Sequence, residues 1–156
     1  MDMLQTTDTT DSRLVVEFHV AEAAFGIDAK RVLEIVKTGD WTPVHGAPPD
    51  VLGIRNLRGR IVTIVDMATH LGMGHIETSE RSRLLIMEHQ SDYYGFLVDS
   101  VSEAIALDEA MISTPPASLN ANLRNRLLGV YRKKQELTAI LDPEVLFSWN
   151  TQSRNA

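Results

Sequence analysis

The sequence predicts a mainly β protein with short helices, built as barrels or a sandwich. Three features carry that prediction. Residues 14–20 alternate, with Leu14, Val16, Phe18 and Val20 on one face and Val15, Glu17 and His19 on the other, the pattern of a half-buried strand. Ile61, Val62, Ile64 and Val65 form a short, β-branched, uncharged run, as a strand buried on both faces should. Roughly nine such segments recur at short intervals, separated by turn residues and brief helical stretches.

Taken in order, residues 1–12 are polar, rich in Thr and Asp, and read as a flexible tail. Residues 14–20 are the first strand, 21–23 its turn and 24–27 the returning strand. Asp28 is placed to cap a helical turn over 29–33 by accepting from free backbone amides. Lys30 and Arg31 oppose the positive start of that turn and keep it short, so 34–37 is already extended. Residues 40–49 hold Trp41, Pro43, Gly46, Pro48 and Pro49 and read as a long surface loop.

Residues 51–67, VLGIRNLRGRIVTIVDM, are the stretch around which the rest is arranged. Asn56-Leu57-Arg58-Gly59 reads as a turn leading into a strand, because glycine reaches backbone conformations closed to other residues. Arg58 then stands at the mouth of a rigid strand, a place suited to recognition; the alternative is a solvated turn residue. Asp66 ends the strand and caps 67–71, with Gly72 as a left-handed stop. Residues 72–82, polar and glycine-bearing, read as a connector between two lobes.

Residues 84–87 and 93–98 make a hairpin around Ser91-Asp92, and 101–107 is extended. Residues 113–117, with Pro115 and Pro116, are loop. Apolar residues at 119, 123, 127 and 128 follow the spacing of one helical face, which Gly129 would stop. Residues 129–131 and 136–141 form a last hairpin. Asp142-Pro143 opens a helix over 143–149, since proline at the first helical position lacks only an amide that would be unpaired anyway. That helix offers Val145, Leu146, Phe147 and Trp149 for packing, and 150–156 is a second polar tail.

Composition narrows the function. At 156 residues, 44% hydrophobic and 23% charged, the chain fits one soluble globular domain, spanning 13–149, of two lobes. A net charge of −6 opposes general affinity for nucleic-acid backbones or anionic lipid. No apolar run approaches the ~20 residues of a bilayer span, and the first residues lack the basic and apolar regions of a secretory signal. The absence of cysteine removes disulfide, thiolate-metal and cysteine-nucleophile chemistry and fits a cytoplasmic location.

No constellation assembles a catalytic centre. Asp66, Asp99 and Asp142 each end a strand and could serve acid–base chemistry or a hard cation, but aspartate is expected at such positions as a helix cap. His19, His45, His70, His75 and His89 show no metal-ligand spacing, and no glycine loop opens a helix to cradle phosphate, so no cofactor or metal is expected. A binding surface remains, with Val32, Glu34, Arg58, Gly95 and Val101 as its candidates. Arginine is favoured among binding hot spots, whereas for Val32 and Val101, as for any lone valine, ordinary core is the commoner role.

The chain resembles the CheW-like adaptors of bacterial chemotaxis signalling. The residues that carry the likeness are Phe25-Gly26-Ile27-Asp28, Val32-Leu33-Glu34-Ile35, Leu52-Gly53-Ile54, Asn56-Leu57-Arg58-Gly59 and Ile61-Val62-Thr63-Ile64-Val65-Asp66. Residues 95–103, Leu128-Gly129-Val130 and Ile140-Leu141-Asp142 complete it in the same order. The resemblance implies two intertwined SH3-like five-stranded β-barrels with a groove between them. It also implies a non-catalytic adaptor joining the cytoplasmic tips of methyl-accepting chemoreceptors to the regulatory domain of a CheA-type histidine kinase. Val32, Glu34, Arg58, Gly95 and Val101 then fall on or near the receptor-contacting groove. The chain departs from the family pattern at 44–48, at Thr63 and at Arg55, which adds a second arginine beside Arg58. There is room for one such domain and none for a receiver or kinase module. An adaptor of the same fold in a pilus-linked or surface-sensing pathway is the alternative implied.

Overall fold

Tight hairpins set the architecture of the computed structural model, which describes residues 12–148. Strand β1 (Ser12–Val20) turns into β2 (Ala23–Asp28) through Ala21 and Glu22, both at positive φ (51° and 70°). Strands β6 (Arg83–His89) and β7 (Asp92–Val98) are joined in the same way by Gln90 and Ser91, at 52° and 72°. Two consecutive positive-φ residues match the right-handed twist of the flanking strands, and here they do so without glycine.

One lobe is a five-stranded sheet, ordered β3 (Val32–Lys37), β6, β7, β5 (Arg60–Asp66), β4 (Val51–Leu57). The other is six-stranded, ordered β8 (Ser100–Asp108), β1, β2, β11 (Glu136–Leu141), β10 (Leu127–Lys133), β9 (Ile112–Ser113). Pairing is antiparallel except for β5 with β7 and β2 with β11. Its two edge strands, β8 and β9, are one run of chain interrupted by the 3₁₀ turn Glu109–Met111, so the sheet curls back on itself. This is the mainly β, two-lobed fold expected, and the lobes interlock because the five-stranded one is spliced into the other. The chain crosses once at the 3₁₀ turn Ala29–Arg31, where Asp28 accepts from the Lys30 amide, and returns at Asp99.

Helices are brief. Asp66 caps α1 (Met67–His70) as read from the sequence, and Gly72 follows at φ 77°. Asn120 caps α2 (Ala121–Arg124), and Asp142 caps α3 (Pro143–Leu146). Three expectations need correction. Residues 72–82 do not connect the lobes: they join α1 to β6 within the five-stranded one, held by the Ile76 amide donating to Asp66 at 2.9 Å. The helix expected over 119–128 lasts one turn, because β10 has begun by Leu127. Gly129 belongs to that strand and stops nothing; a Cβ there would lie 2.5 Å from Ile112 and 2.6 Å from the Ser113 carbonyl, so glycine lets β9 approach. Trp149 and the tails at 1–11 and 150–156 lie outside the described residues, while Ser12 opens β1.

A single core runs through both lobes. Phe18, Phe25 and Ile27 from the six-stranded sheet pack with Ile64, Leu85, Met87 and Phe96 from the other. Phe147, just past α3, wedges between Phe96, Tyr94 and His89 at centroid distances of 5.7, 5.3 and 4.4 Å. Burial, aided by the neighbouring Asp92 charge, raises the Tyr94 pKa above the ordinary tyrosine value. Aromatic contacts thus join the end of the chain's last helix to the five-stranded lobe.

Candidate functional site

The β4–β5 hairpin closes through Arg58 and Gly59, at φ 54° and 84°, with Leu57 opposite Arg60. Asn56 fixes the turn by accepting from the Gly59 amide at 2.9 Å. Arg58 therefore projects from a rigid tip, as its position before a glycine foretold. Its Nη1 donates to both carboxylate oxygens of Glu34 on β3, the opposite edge of the same sheet. The pair remains solvent-facing, with side chains 66% and 35% exposed. Such a pair contributes little to stability, about 0–1 kcal/mol, so either partner can be exchanged for an incoming group at small cost.

Beneath this pair is a depression of about 270 Å³. Its floor is apolar, formed by Val62, Ile86 and Tyr93, and Leu33 and Leu57 wall it. Arg60 completes the rim and lays its guanidinium 4.6 Å from the centre of the Tyr93 ring. The surface thus combines an apolar centre with a charged rim, the anatomy of a protein-docking patch.

Of the five residues read from the sequence, the fold brings three to this place. Glu34 and Arg58 form the rim. Gly95 lies in the same cross-sheet row as Glu34, Ile86 and Ile64. A Cβ on Gly95 would sit 3.2 Å from Ile64 and Ile86 and 3.3 Å from Val62, so its bare backbone lets the floor side chains close over it. Val32 is half-buried opposite Met87 and packs on the core. Val101 is elsewhere. On β8, it pairs with Phe18 of β1 and lines a wider hollow of about 600 Å³ with Ala21, Arg81 and Asp99, beyond the far end of β7.

Arg55 does not join Arg58. Its Nη1 donates to the carbonyls of Thr38 at 2.7 Å and Lys37 at 3.3 Å, tying β4 to the end of β3. Sequence reasoning passed over Leu33 and Leu57, each one position from a named charge, although that adjacency was a usable signal. It also missed the Arg60–Tyr93 contact, which depends on the parallel β5–β7 register and has no local signature.

The three strand-ending aspartates are occupied by backbone. Asp66 accepts from the amides of Ala68, Thr69 and Ile76, Asp99 from Ala21 at 2.8 Å, and Asp142 from Glu144 at 3.0 Å. Among the described residues no group of three or more His, Asp or Glu side chains is placed to hold a metal ion, and no helix is long and apolar enough to cross a membrane.

The family model for the CheW-like domain matches residues 14–151. The chain belongs to the CheW-like family. Its sequence is similar to the chemotaxis protein CheW of Helicobacter pylori, 29% identical over 129 residues that cover 83% of this chain and 78% of that protein. CheW of Rhizobium meliloti is 29% identical over 139 residues, covering 89% and 90% of the two chains. In structure it is similar to the scaffolding protein TtCheW from Thermoanaerobacter tengcongensis, with a TM-score of 0.79, 31% identity and coverage of 88% and 89%. A CheW-like protein is a coupling scaffold of chemotaxis and not an enzyme.

Proposed function

We propose that this chain couples the cytoplasmic tips of chemoreceptors to the regulatory domain of a CheA-type histidine kinase, working in the cytoplasm at membrane-associated receptor arrays. The observation that carries the reading is the CheW-like match along residues 14–151. The rim over the apolar depression gives it a physical route. A receptor helix docks an apolar side chain over Val62, Ile86 and Tyr93 and offers a carboxylate or carbonyl to Arg58, which exchanges its partner Glu34 for the new one.

In this reading Glu34 and Arg58 touch the receptor, and Gly95 keeps the floor at its depth. Val32 supports β3 from the core side, and Val101 contributes at the second hollow, where a long helix continues past the first contact. Such a contact is small, below ~1,200 Å², and gains its strength from the many copies held in an array. Co-purification with a receptor signalling tip and a kinase regulatory domain tests it. Retention of both partners is expected, and retention of neither refutes the proposal.

A further inference from the structure

The depression beneath Arg58 is unbalanced in charge. Its lining holds two guanidiniums, those of Arg58 and Arg60, and a single carboxylate, that of Glu34. The chain as a whole carries a net charge of −6, so this positive excess is local. Glu34 answers Arg58 through both carboxylate oxygens. Arg60 has no such counterpart. Among the described residues no carboxylate stands within ion-pair reach of Arg60, and none of its N–H groups meets an acceptor. Glu88, opposite Tyr93 on β6, forms no ion pair with it either.

The fold nevertheless holds this cation in place. Arg60 opens β5, and its side chain shares a face with Val62 two residues on. Val62 is in register with Tyr93 on β7, which brings the guanidinium of Arg60 to 4.6 Å from the centre of the Tyr93 ring. The ring quadrupole attracts a cation there, while the aliphatic stem covers apolar surface. A guanidinium placed beforehand loses less freedom on meeting a carboxylate than one moving in solvent, and it can bind that group through two parallel bonds.

We propose that Arg60 is a specificity-determining cation of the docking patch, selecting a helix whose apolar anchor is flanked by two acidic residues, one for Arg58 and one for Arg60. The inference rests on the coupling role proposed above and names the chemistry of the segment that docks. Residues three or four apart share a helix face, so the second carboxylate lies one turn from the anchor. A segment with a basic residue at that place meets Arg60 and is rejected.

Titration calorimetry of a receptor-tip fragment against the natural chain, Arg60→Gln and Arg60→Lys, at low and at physiological salt, tests this. Arg60 is exposed and bonds to no backbone group, so neither variant disturbs the fold. Arg60→Gln is expected to bind about tenfold more weakly at low salt, and the gap to narrow as salt rises. Arg60→Lys, which keeps the charge, is expected to lose less. Replacing the acidic residues of the tip one at a time by their amides locates the partner: one replacement weakens binding to the natural chain but not to Arg60→Gln. Equal or tighter binding by Arg60→Gln overturns the proposal, because the guanidinium then only covers the floor, and so does a loss that ignores salt. If the natural chain itself fails to bind the tip, the coupling role falls and this inference with it. If Arg58→Glu weakens binding while Arg60→Gln does not, the selection by Arg60 alone is refuted.

Discussion

Charge reversal at Arg58 separates docking from folding. Arg58→Glu removes an ion pair whose guanidinium is 66% exposed and sets a second carboxylate beside Glu34. The lost attraction is worth about 0–1 kcal/mol and the new repulsion a similar amount in solvent. For a chain of this length 1 kcal/mol moves Tm by about 2–4 °C, so the variant melts only a few degrees early. The backbone adds nothing to that cost, since glutamate meets the same positive φ as arginine. Receptor binding responds differently. An arginine that acts as a binding hot spot is worth about 2 kcal/mol, or roughly 30-fold in Kd. Titration calorimetry against a receptor-tip fragment measures the loss, and urea unfolding of the same sample measures the stability. The swapped pair Glu34→Arg with Arg58→Glu sharpens the test, because it restores the internal pair while leaving each charge on the wrong strand. Recovery of folding stability without recovery of binding is expected. Wild-type affinity in Arg58→Glu, or full rescue of binding by the swap, refutes a docking role for this arginine.

Other substitutions probe the supports beneath that patch. Gly95→Ala pushes a methyl group against Ile64, Ile86 and Val62 and is expected to cost about 1–3 kcal/mol in urea unfolding while leaving Arg58 in place. Asp66→Ala strips the acceptor from three amides at the start of α1 and at Ile76, so a loss of at least about 2 kcal/mol is expected, with faster amide exchange at Ala68, Thr69 and Ile76. Thr138→Val removes the hydroxyl that donates to the buried Glu17 carboxylate at 2.8 Å, leaving Lys133 at 3.5 Å as its remaining recorded partner. A cost of about 1–3 kcal/mol by denaturant unfolding is expected, and an unchanged midpoint would show that the carboxylate finds other donors.

Much of this molecule was legible where the signal is local. The alternation through Phe18, the capping aspartates at 28, 66 and 142, and the Arg58-Gly59 turn are each decided within a few residues, and each stands where the sequence put it. Signals failed where distant strands decide. The apolar spacing at 119, 123, 127 and 128 resembles a helix, yet Leu127 faces Leu141 and Gly129 faces Ile140, so sheet pairing overrode the periodicity. The polar stretch 72–82 looked like a bridge between lobes because composition cannot say which sheet receives the next strand. At the docking patch the adjacent charges were readable one by one. Arg60 over Tyr93, and the separation of Val101 from Arg58, follow from parallel pairing and from the exit of the chain at Asp99, neither of which leaves a trace in neighbouring residues.

The splicing of one lobe into the other has a consequence on the ribosome. All five strands between residues 32 and 98 emerge consecutively, so that half can close as soon as β7 is clear of the exit tunnel. The N-terminal hairpin cannot: Ala24 to Gly26 on β2 wait for Thr138 to Ile140 on β11, made roughly 110 residues later, a delay of about 5–20 s at ordinary translation rates. Through that interval β2 presents a bare hydrogen-bonding edge beside Phe25, the stretch of nascent chain most exposed to misassembly with a neighbour.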